Sequence, residues 1–383
     1  MTYNEKEPSF WSPRTWTRRA WLIFATVIIL IVIVIVATVV GVNATRNNGG
    51  GDGGGNRTEE LAFIDTHPNY TKLDYQLIDT YLPSNFFKKF TYFNTYDPSR
   101  GFVHYVSPED AAVYNLTTVN ADTINIRVDT SRDNATTGRH SVRLESNRQY
   151  ESGLFIFDVK HTPVGCGTWP ALWLTDPSPG AWPANGEIDI MESINQGTNG
   201  NLVALHTTEG CNVKRVRREL TGAIGAEDCW NETNHNEGCT VKGPKNTFGP
   251  DFNAGGGGVV ALEWRKEGIR SWIWPRGGVP SDINLNVAAL GQGQGGVTTR
   301  PDPSAWGLPL ADFPNTRCDM EQHFRNQSLI VNINICGDFI TEDIWAESGC
   351  NRGMSCTDFI AHNPKAFVDA FWEFGSWQVW EAT

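Results

Sequence analysis

Nine short segments, each rich in β-branched and aromatic residues and bounded by Gly, Pro or Asn, follow one another along the chain. They cover residues 141–146, 153–160, 170–175, 186–193, 201–208, 259–264, 269–274, 329–335 and 372–380. Segments of this kind are typical of β-strands, and the connection RKEG after residue 264 predicts a hairpin. The chain is therefore expected to be all-β, with its strands packed as two antiparallel sheets.

The composition supports a folded domain. Only 19% of the 383 residues are charged, and the chain contains 38 Gly, 20 Pro and 15 Trp. A disordered chain would have fewer aromatic residues and a higher charge density, and a coiled coil would have more Glu and Lys. Because β-sandwiches can run to about 250 residues as one unit, the length alone leaves the number of domains open.

Residues 21–42 differ from the rest of the chain because they contain neither a charge nor a proline. As a helix at about 1.5 Å per residue, this stretch would be roughly 33 Å long and would cross a bilayer. A cleaved signal peptide is the alternative, but its apolar region usually has only about 7–15 residues. Arg14, Arg18 and Arg19 precede the stretch, so the N-terminus is expected in the cytosol. The sequence predicts a single-pass type II membrane protein whose remaining residues are extracellular or lumenal.

All eight cysteines and all seven Asn-x-Ser/Thr sequons lie beyond this stretch, which is typical of an oxidising, glycosylating compartment. The cysteines are Cys166, Cys211, Cys229, Cys239, Cys318, Cys336, Cys350 and Cys356. The glycosylation candidates are Asn56, Asn69, Asn115, Asn134, Asn231 and Asn326; Asn43 lies too near the predicted membrane segment. The even number of cysteines predicts four disulfides of undetermined connectivity. Zinc binding is disfavoured, since the cysteines are dispersed along the chain.

These features divide the chain into a cytosolic tail (residues 1–20), a transmembrane anchor (21–42), a Gly/Asn-rich linker (43–72) and a folded domain (73–383). The linker includes NNGGGDGGGN at 47–56, which has no core-forming residue. The whole chain carries a net charge of −12, and the tail contributes +2, which leaves −14 for the remainder. Nucleic acid is therefore not an expected partner, whereas a neutral polymer is compatible with this charge.

The strand GEIDIMES at 186–193 concentrates the acidic residues. Alternation along a strand places Glu187 and Asp189 on one face, but strict alternation would bury Glu192 in the core. An unpaired buried charge costs several kcal/mol, so we expect one extra residue near Ile190 and Met191, forming a β-bulge. The bulge would return Glu192 to the face of the other two acids. Crowding should then raise the pKa of at least one of them.

Enzymes that hydrolyse glycosides usually use two carboxyl groups in different protonation states as their catalytic groups. An exposed acidic strand edge is the alternative interpretation. The neighbouring segments favour the catalytic one: GCGTWPALWLT and WPANG precede the acids and LHTTEGC follows them, so aromatic rings and hydrogen-bonding groups surround the carboxylates. Sugars stack their apolar faces on such rings.

These segments, together with VVALEWRKEGIRSWIWPRG and HFRNQSLIVNINICGDF, resemble the fungal laminarinase-type endo-1,3(4)-β-glucanases of glycoside hydrolase family 16. The resemblance extends from about residue 73 to residue 383. It implies a concanavalin A-like β-jelly roll whose concave face binds a β-glucan, and a retaining mechanism. By this resemblance Glu187 is the nucleophile, Glu192 the general acid and then base, and Asp189 the neighbour that hydrogen-bonds the nucleophile.

The same resemblance suggests a hydrogen bond from His206 near the cleavage point, although a purely structural His is an equal alternative. Trp169, Trp173 and Trp182 are the candidates for sugar stacking; Trp173 could equally belong to the core. Asn332 and Asn334 alternate with apolar residues and present a polar face, either to a cleft or to solvent. Acidic groups in loops could hold a structural calcium ion, as they do in some relatives, but no loop has a convincing calcium-ligand spacing, so neither a metal nor a cofactor is predicted.

The leading hypothesis is a membrane-anchored hydrolase of β-1,3 and mixed β-1,3/1,4 glucans, with a monomeric catalytic domain. A transglycosylase that remodels cell-wall β-glucan would use the same covalent intermediate and is the first alternative. The second is a glucan-binding protein without catalysis, which the presence of both glutamates disfavours.

Overall fold

The computed structural model describes residues 61–296 and 299–383. These residues contain eighteen β-strands and six α-helices. The strands are β1 (Tyr75–Tyr81), β2 (Phe90–Tyr92), β3 (Val103–Tyr105), β4 (Thr117–Val119), β5 (Ile124–Arg127), β6 (Arg139–Ser141), β7 (Arg143–Tyr150), β8 (Gly153–His161), β9 (Thr168–Thr175), β10 (Glu187–Glu192), β11 (Leu202–His206), β12 (Ala223–Glu227), β13 (Cys239–Lys242), β14 (Gly258–Arg265), β15 (Gly268–Pro275), β16 (Ala311–Pro314), β17 (Gln327–Ile335) and β18 (Phe371–Ala382). The helices are α1 (Pro108–Val113), α2 (Gly249–Ala254), α3 (Val287–Leu290), α4 (Met320–His323), α5 (Glu342–Glu347) and α6 (Cys356–His362).

Two eight-stranded antiparallel sheets form the body of the molecule, which confirms the expected all-β sandwich. Sheet A has the order β16-β15-β14-β8-β18-β5-β4, with β1 also paired to β18. Sheet B has the order β12-β13-β11-β10-β9-β17-β7-β2. A parallel pair, β3 and β6, lies apart from both sheets. All nine predicted strand segments overlap observed strands, and β14 and β15 form the predicted hairpin.

The main core lies between the sheets, because alternate residues of each strand turn towards the opposite sheet. Leu172 and Ile188 from sheet B share one buried cluster with Phe157, Trp372 and Trp377 from sheet A. None of these five side chains is exposed to solvent. Burying a large apolar side chain contributes about 1.5–3 kcal/mol, so this cluster holds the sheets together.

A second cluster covers the other face of sheet A. Ile156, Val259 and Trp272 pack there with Leu77 of β1 and Leu290 of α3. Strand β14 is therefore buried on both faces, which explains why its sequence reads as an almost continuous apolar run.

The segment from Leu61 to Lys72 belongs to the same compact unit as the sandwich, which spans Leu61–Thr383. Ile64 forms a bridge with Val216, and His67 Nε2 lies 2.8 Å from Asp312 Oδ2. The predicted linker, residues 43–72, therefore overlaps this packed segment at its C-terminal end. The predicted tail and anchor lie outside the described residues. Among the residues that the structure describes, no helix has the length and apolar character needed to cross a membrane.

The eight cysteines form four disulfides, as the even count predicted. The pairs are Cys166–Cys350, Cys211–Cys318, Cys229–Cys239 and Cys336–Cys356. Two of them attach the helical segment after β17 to the ends of β9 and β17. Of the glycosylation candidates, four are exposed and Asn231 is partly buried, while Asn56 lies outside the described residues. The four exposed residues are Asn69, Asn115, Asn134 and Asn326.

Candidate active site

Strand β10 carries the three acidic residues and contains the expected bulge. Glu187 pairs with Thr175 and Asp189 pairs with Trp173 of β9, but the register shifts before Met191. The side chains of Ile188, Ile190 and Met191 are fully buried. One residue more on β10 than on its neighbours therefore brings Glu192 back to the side of Glu187 and Asp189.

Gly186 sets the entry into this strand. Its φ is +79°, and a Cβ there would lie 2.3 Å from the carbonyl oxygen of His323. The Thr175 hydroxyl donates a hydrogen bond to the Gly186 carbonyl at 2.9 Å. The glycine before Glu187 is thus required by both backbone conformation and close packing against α4.

We expect Gly186→Ala to destabilise the protein and lower its activity. The positive φ alone costs about 1–3 kcal/mol, and the contact with His323 must also be relieved, which displaces Glu187. Gly180→Ala is the matched control, because Gly180 has φ +77° with no atom within 4 Å of the added Cβ. Denaturant unfolding of both variants measures the difference. Equal losses would show that the contact with His323 contributes nothing.

Glu192 is only 7% exposed and receives a hydrogen bond from the Trp169 indole nitrogen at 2.6 Å to Oε1. Burial is the main reason that the pKa of Glu192 is raised, to about 8, and the negative charge of Asp189 adds to it. The Trp169 donor opposes both effects because it stabilises the ionised form. Glu192 is therefore suited to hold a proton near neutral pH.

Glu187 is the most exposed of the three acids. Burial and the Asp189 charge raise the pKa of Glu187 to about 7, whereas His206 and a hydrogen bond from Trp182 lower it. Trp182 lies on the loop before β10 and is 41% exposed. The groups around Glu187 thus include a cation and a donor, which both favour its ionised form.

His206 lies directly opposite Glu187 in the register of β10 and β11. Its Nε2 is 3.3 Å from Asp189 Oδ2, and its Nδ1 is 3.2 Å from Asn236 Oδ1. Burial would lower the pKa of His206, but Asp189 and the two glutamates together raise it to about 9. The three acids thus favour the protonated form of His206. Asp189 therefore lies beside His206 as well as near Glu187. The hydrogen bond from Asp189 to the nucleophile that the resemblance implies stays a prediction.

One oxygen each of Glu187 and Asp189 and one ring nitrogen of His206 lie within 4.8 Å of one another. A metal-bound histidine must be neutral, since it donates a lone pair to the ion. The raised pKa of His206 instead favours the protonated ring, which balances the charge of the two acids. This cluster is better suited to an ion pair than to a metal.

Trp173 lies on the face of sheet B that carries the acids. It pairs with Asp189 across β9 and β10, and its indole nitrogen donates to Asn332 Oδ1 at 2.8 Å. Tyr105 lies on the other side of Asn332 and accepts a hydrogen bond from its Nδ2 at 2.9 Å. Asn332 is 6% exposed, so its polar face is enclosed and orients Trp173. Asn334 is also enclosed, by Asp97 and Ser99.

Arg143 is a residue of this face to which the sequence analysis gave no role. Its guanidinium carbon lies 4.4 Å from the Phe93 ring centroid and 5.0 Å from that of Trp173. Arg143 also forms an ion pair with Glu145, in which Arg143 Nη2 lies 2.9 Å from Glu145 Oε1. The sequence SVRLES could have indicated this position, because side chains alternate along a strand. Arg143 and Glu145 therefore lie on the face of the strand that does not carry the core residues Val142 and Leu144.

Comparison with known proteins gives a consistent result. A family model described as "XgeA-like, catalytic GH16 domain" matches residues 90–380. An endo-1,3(4)-beta-glucanase of Arthroderma benhamiae is 35% identical over 333 residues, which cover 85% of this chain and 69% of that protein. A protein of Schizosaccharomyces pombe named as a probable glycosidase is 38% identical over 323 residues, covering 84% of this chain and 72% of that protein.

Two solved structures are similar in fold and sequence. Laminarinase 16A from Phanerochaete chrysosporium, with 6-O-glucosyl-laminaritriose in donor and acceptor sites, has a TM-score of 0.71 and 37% identity; the match covers 80% of this chain and 99% of that one. An elongating family 16 β-1,3-glucosyltransferase has a TM-score of 0.69 and 32% identity, covering 80% and 100%. These matches confirm the jelly-roll-like sandwich. Since the family model spans sheet B and nearly all of sheet A, the chain belongs to glycoside hydrolase family 16.

Proposed function

We propose that this protein is a retaining endo-1,3(4)-β-glucanase with Glu187 as nucleophile and Glu192 as general acid and base. The observation that carries the proposal is the bulge at Ile190 and Met191, which brings both carboxyl groups to the same face of β10. Relatives named as endo-1,3(4)-beta-glucanases and a laminarinase bound to a β-glucan support the substrate class.

In the first step, ionised Glu187 attacks the anomeric carbon of the sugar. The bond from that carbon to the glycosidic oxygen breaks, and the oxygen takes the proton of Glu192 together with the released electron pair. The raised pKa of Glu192 keeps this proton available near neutral pH. The product is an ester between the sugar and Glu187.

In the second step, Glu192 is ionised and removes a proton from water as the water attacks the anomeric carbon. The ester bond breaks, Glu187 regains its negative charge, and Glu192 is again protonated. Two inversions give net retention. His206 stays protonated beside Asp189 throughout, and its charge stabilises the anionic form of Glu187.

The aromatic groups of the cleft are proposed to hold the glucan chain. Trp182 and Trp169 each donate a hydrogen bond to a catalytic glutamate, so a sugar stacked on either ring would lie close to the reacting bond. Trp173 is braced by Arg143 and Asn332. A neutral glucan is compatible with the net charge of −12 on the chain.

The pH dependence tests the two assignments separately. We expect Trp169→Phe to move the alkaline limb of kcat/KM to higher pH, because loss of the indole donor raises the pKa of Glu192 and keeps it protonated longer. Trp182→Phe should instead move the acidic limb upward, because it raises the pKa of Glu187. Profiles of kcat/KM report groups of the free enzyme. A downward shift of either limb would contradict the assignment.

Product analysis tests the activity itself. Residues 61–383, which form one compact unit, would be produced in an oxidising host and incubated with laminarin, lichenan, β-1,6-glucan and chitin. We expect internal cleavage of laminarin and lichenan, with the β-anomer appearing first by NMR. A folded domain that cleaves none of the four would refute the proposal.

Transglycosylation is the second candidate function, and the similarity to an elongating β-1,3-glucosyltransferase supports it. A sugar hydroxyl would then replace water in the second step. Incubation with a fluorescent acceptor oligosaccharide distinguishes the two reactions by product mass. Labelled products longer than the acceptor require transfer, whereas hydrolysis leaves the label on the original chain.

We also propose that residues 21–42 anchor the enzyme as a type II membrane protein and that the domain acts as a monomer on the far side. The uncharged stretch, the four disulfides and the exposed sequons support this topology. Resistance to alkaline carbonate extraction and a mass decrease after N-glycosidase treatment test it. Equilibrium sedimentation of the isolated domain tests the monomer.

A further inference from the structure

The bulge in β10 interrupts the regular pairing of its backbone with β11. Asp189 pairs with Ala204 and Glu192 pairs with Leu202, so three steps along β10 correspond to two along β11. The carbonyl of Ile190 and the amide of Glu192 lie in this irregular stretch, where the surroundings are buried. A buried polar backbone group without a partner costs about 1–3 kcal/mol.

The side chain of Asn201 forms a hydrogen bond with each of these two backbone groups. Its Nδ2 donates to the Ile190 carbonyl at 2.9 Å, and its Oδ1 accepts a hydrogen bond from the Glu192 amide at 3.1 Å. One carboxamide has a donor and an acceptor at the spacing that the bulge requires. Asn201 has no exposed surface, so water does not compete for these bonds.

Asn201 is itself held in place from the opposite side. The backbone amide of Asn201 donates to the Thr247 hydroxyl at 2.9 Å. The backbone carbonyl of Asn201 accepts from the Gly243 amide at 2.8 Å. These bonds fix the backbone of Asn201, and the side chain of Asn201 in turn fixes the backbone of β10 at the bulge. The residue whose amide it fixes, Glu192, also accepts the indole hydrogen bond of Trp169.

We propose that Asn201 is a positioning residue for catalysis: it holds the β10 bulge so that the Glu192 carboxyl is aimed at the glycosidic oxygen. This inference rests on the proposed role of Glu192 as the general acid. Misplacing a catalytic group by about 1 Å can cost about 10²-fold in rate, so small movements of the bulge should matter.

The dependence on the leaving group separates this role from general stability. Glucan cleavage needs a proton from Glu192, whereas a 2,4-dinitrophenyl β-glycoside of laminaribiose has a leaving group that departs unprotonated. For Asn201→Ala we expect kcat/KM on laminarin to fall by at least about tenfold, part of the 10²–10⁴-fold that acid catalysis provides. On the aryl glycoside, kcat/KM should change much less. Asn201→Asp keeps the acceptor for the Glu192 amide but loses the donor to the Ile190 carbonyl, so it should show the same selective loss on laminarin.

Thr162→Ala is the matched control, because it removes a buried hydrogen bond from the Gly249 backbone amide and leaves Asn201 and all its partners in place. It should lower the unfolding midpoint but keep the wild-type ratio of activities on the two substrates. A parallel fall on both substrates in Asn201→Ala, or loss of folding in both Asn201 variants, would overturn the proposal by assigning Asn201 to the stability of the sheet. A wild-type enzyme inactive on both substrates would instead refute the proposed function.

Discussion

Replacing Glu187 with Gln is expected to reduce laminarin hydrolysis by on the order of 10⁴-fold or more, the scale of loss when a covalent nucleophile is removed. Glu192→Gln should lose about 10²–10⁴-fold, the usual contribution of general acid-base catalysis. Glutamine keeps the size of each side chain but can neither attack the sugar nor donate the carboxyl proton. Reducing-sugar release from laminarin measures both losses.

Azide distinguishes the two roles. With an activated aryl glycoside, azide added to Glu187→Ala would replace the nucleophile and give the α-glycosyl azide. Added to Glu192→Ala, azide would attack the sugar ester of Glu187 and give the β-glycosyl azide. Glu381→Gln, at an exposed glutamate on β18, is the matched control and should keep full activity. Unchanged activity in Glu187→Gln would favour the non-catalytic glucan-binding alternative.

Removing the Cys166–Cys350 disulfide is expected to destabilise the protein more than removing Cys229–Cys239. Its cysteines are 184 residues apart, while those of Cys229–Cys239 are only 10 apart. In the loop-entropy model, the long crosslink contributes about 4–5 kcal/mol and the short one about 3 kcal/mol, even though Cys211–Cys318 shortens the route round the long loop. Double Cys→Ser variants and denaturant unfolding measure the two losses.

The short crosslink is the internal control for this comparison, since each variant replaces two cysteines and breaks one disulfide. Cys166 also precedes Trp169 by only three residues, so the long-crosslink variant should lose activity as well as stability. Equal unfolding midpoints, or a lower midpoint for the Cys229–Cys239 variant, would contradict the loop-length argument.

The strands and the bulge followed from local sequence because their causes are local. Alternation of apolar residues marks each strand, and an acid that would otherwise be buried at position 192 demands an extra residue in β10. The shifted register of β10 against both neighbours has this cause. The edge strands β4 and β12 were not predicted, because they are short and little of either strand is buried. Their sequences therefore lack an alternating apolar pattern.

The partners of the site residues were less predictable. The contact between His206 and Asp189 was not predicted, because it depends on the register in which β11 pairs with β10, and no local signal encodes that register. Asn201 lies just before β11 in the sequence, but its role depends on where the bulge of another strand falls. Arg143 meets Trp173 only because β17 brings β7 near β9.

The sequence by itself determined the all-β class, the family resemblance, the acidic strand and the need for disulfides, since each depends on residue type and spacing within a short segment. Only the tertiary structure decided the disulfide pairing, the enclosure of Asn332 and the ion pair of His206. It also revealed the two hydrogen bonds between the Asn201 side chain and the backbone of the bulge. These features depend on contacts between distant segments, and the free energy that selects them comes from packing both sheets at once.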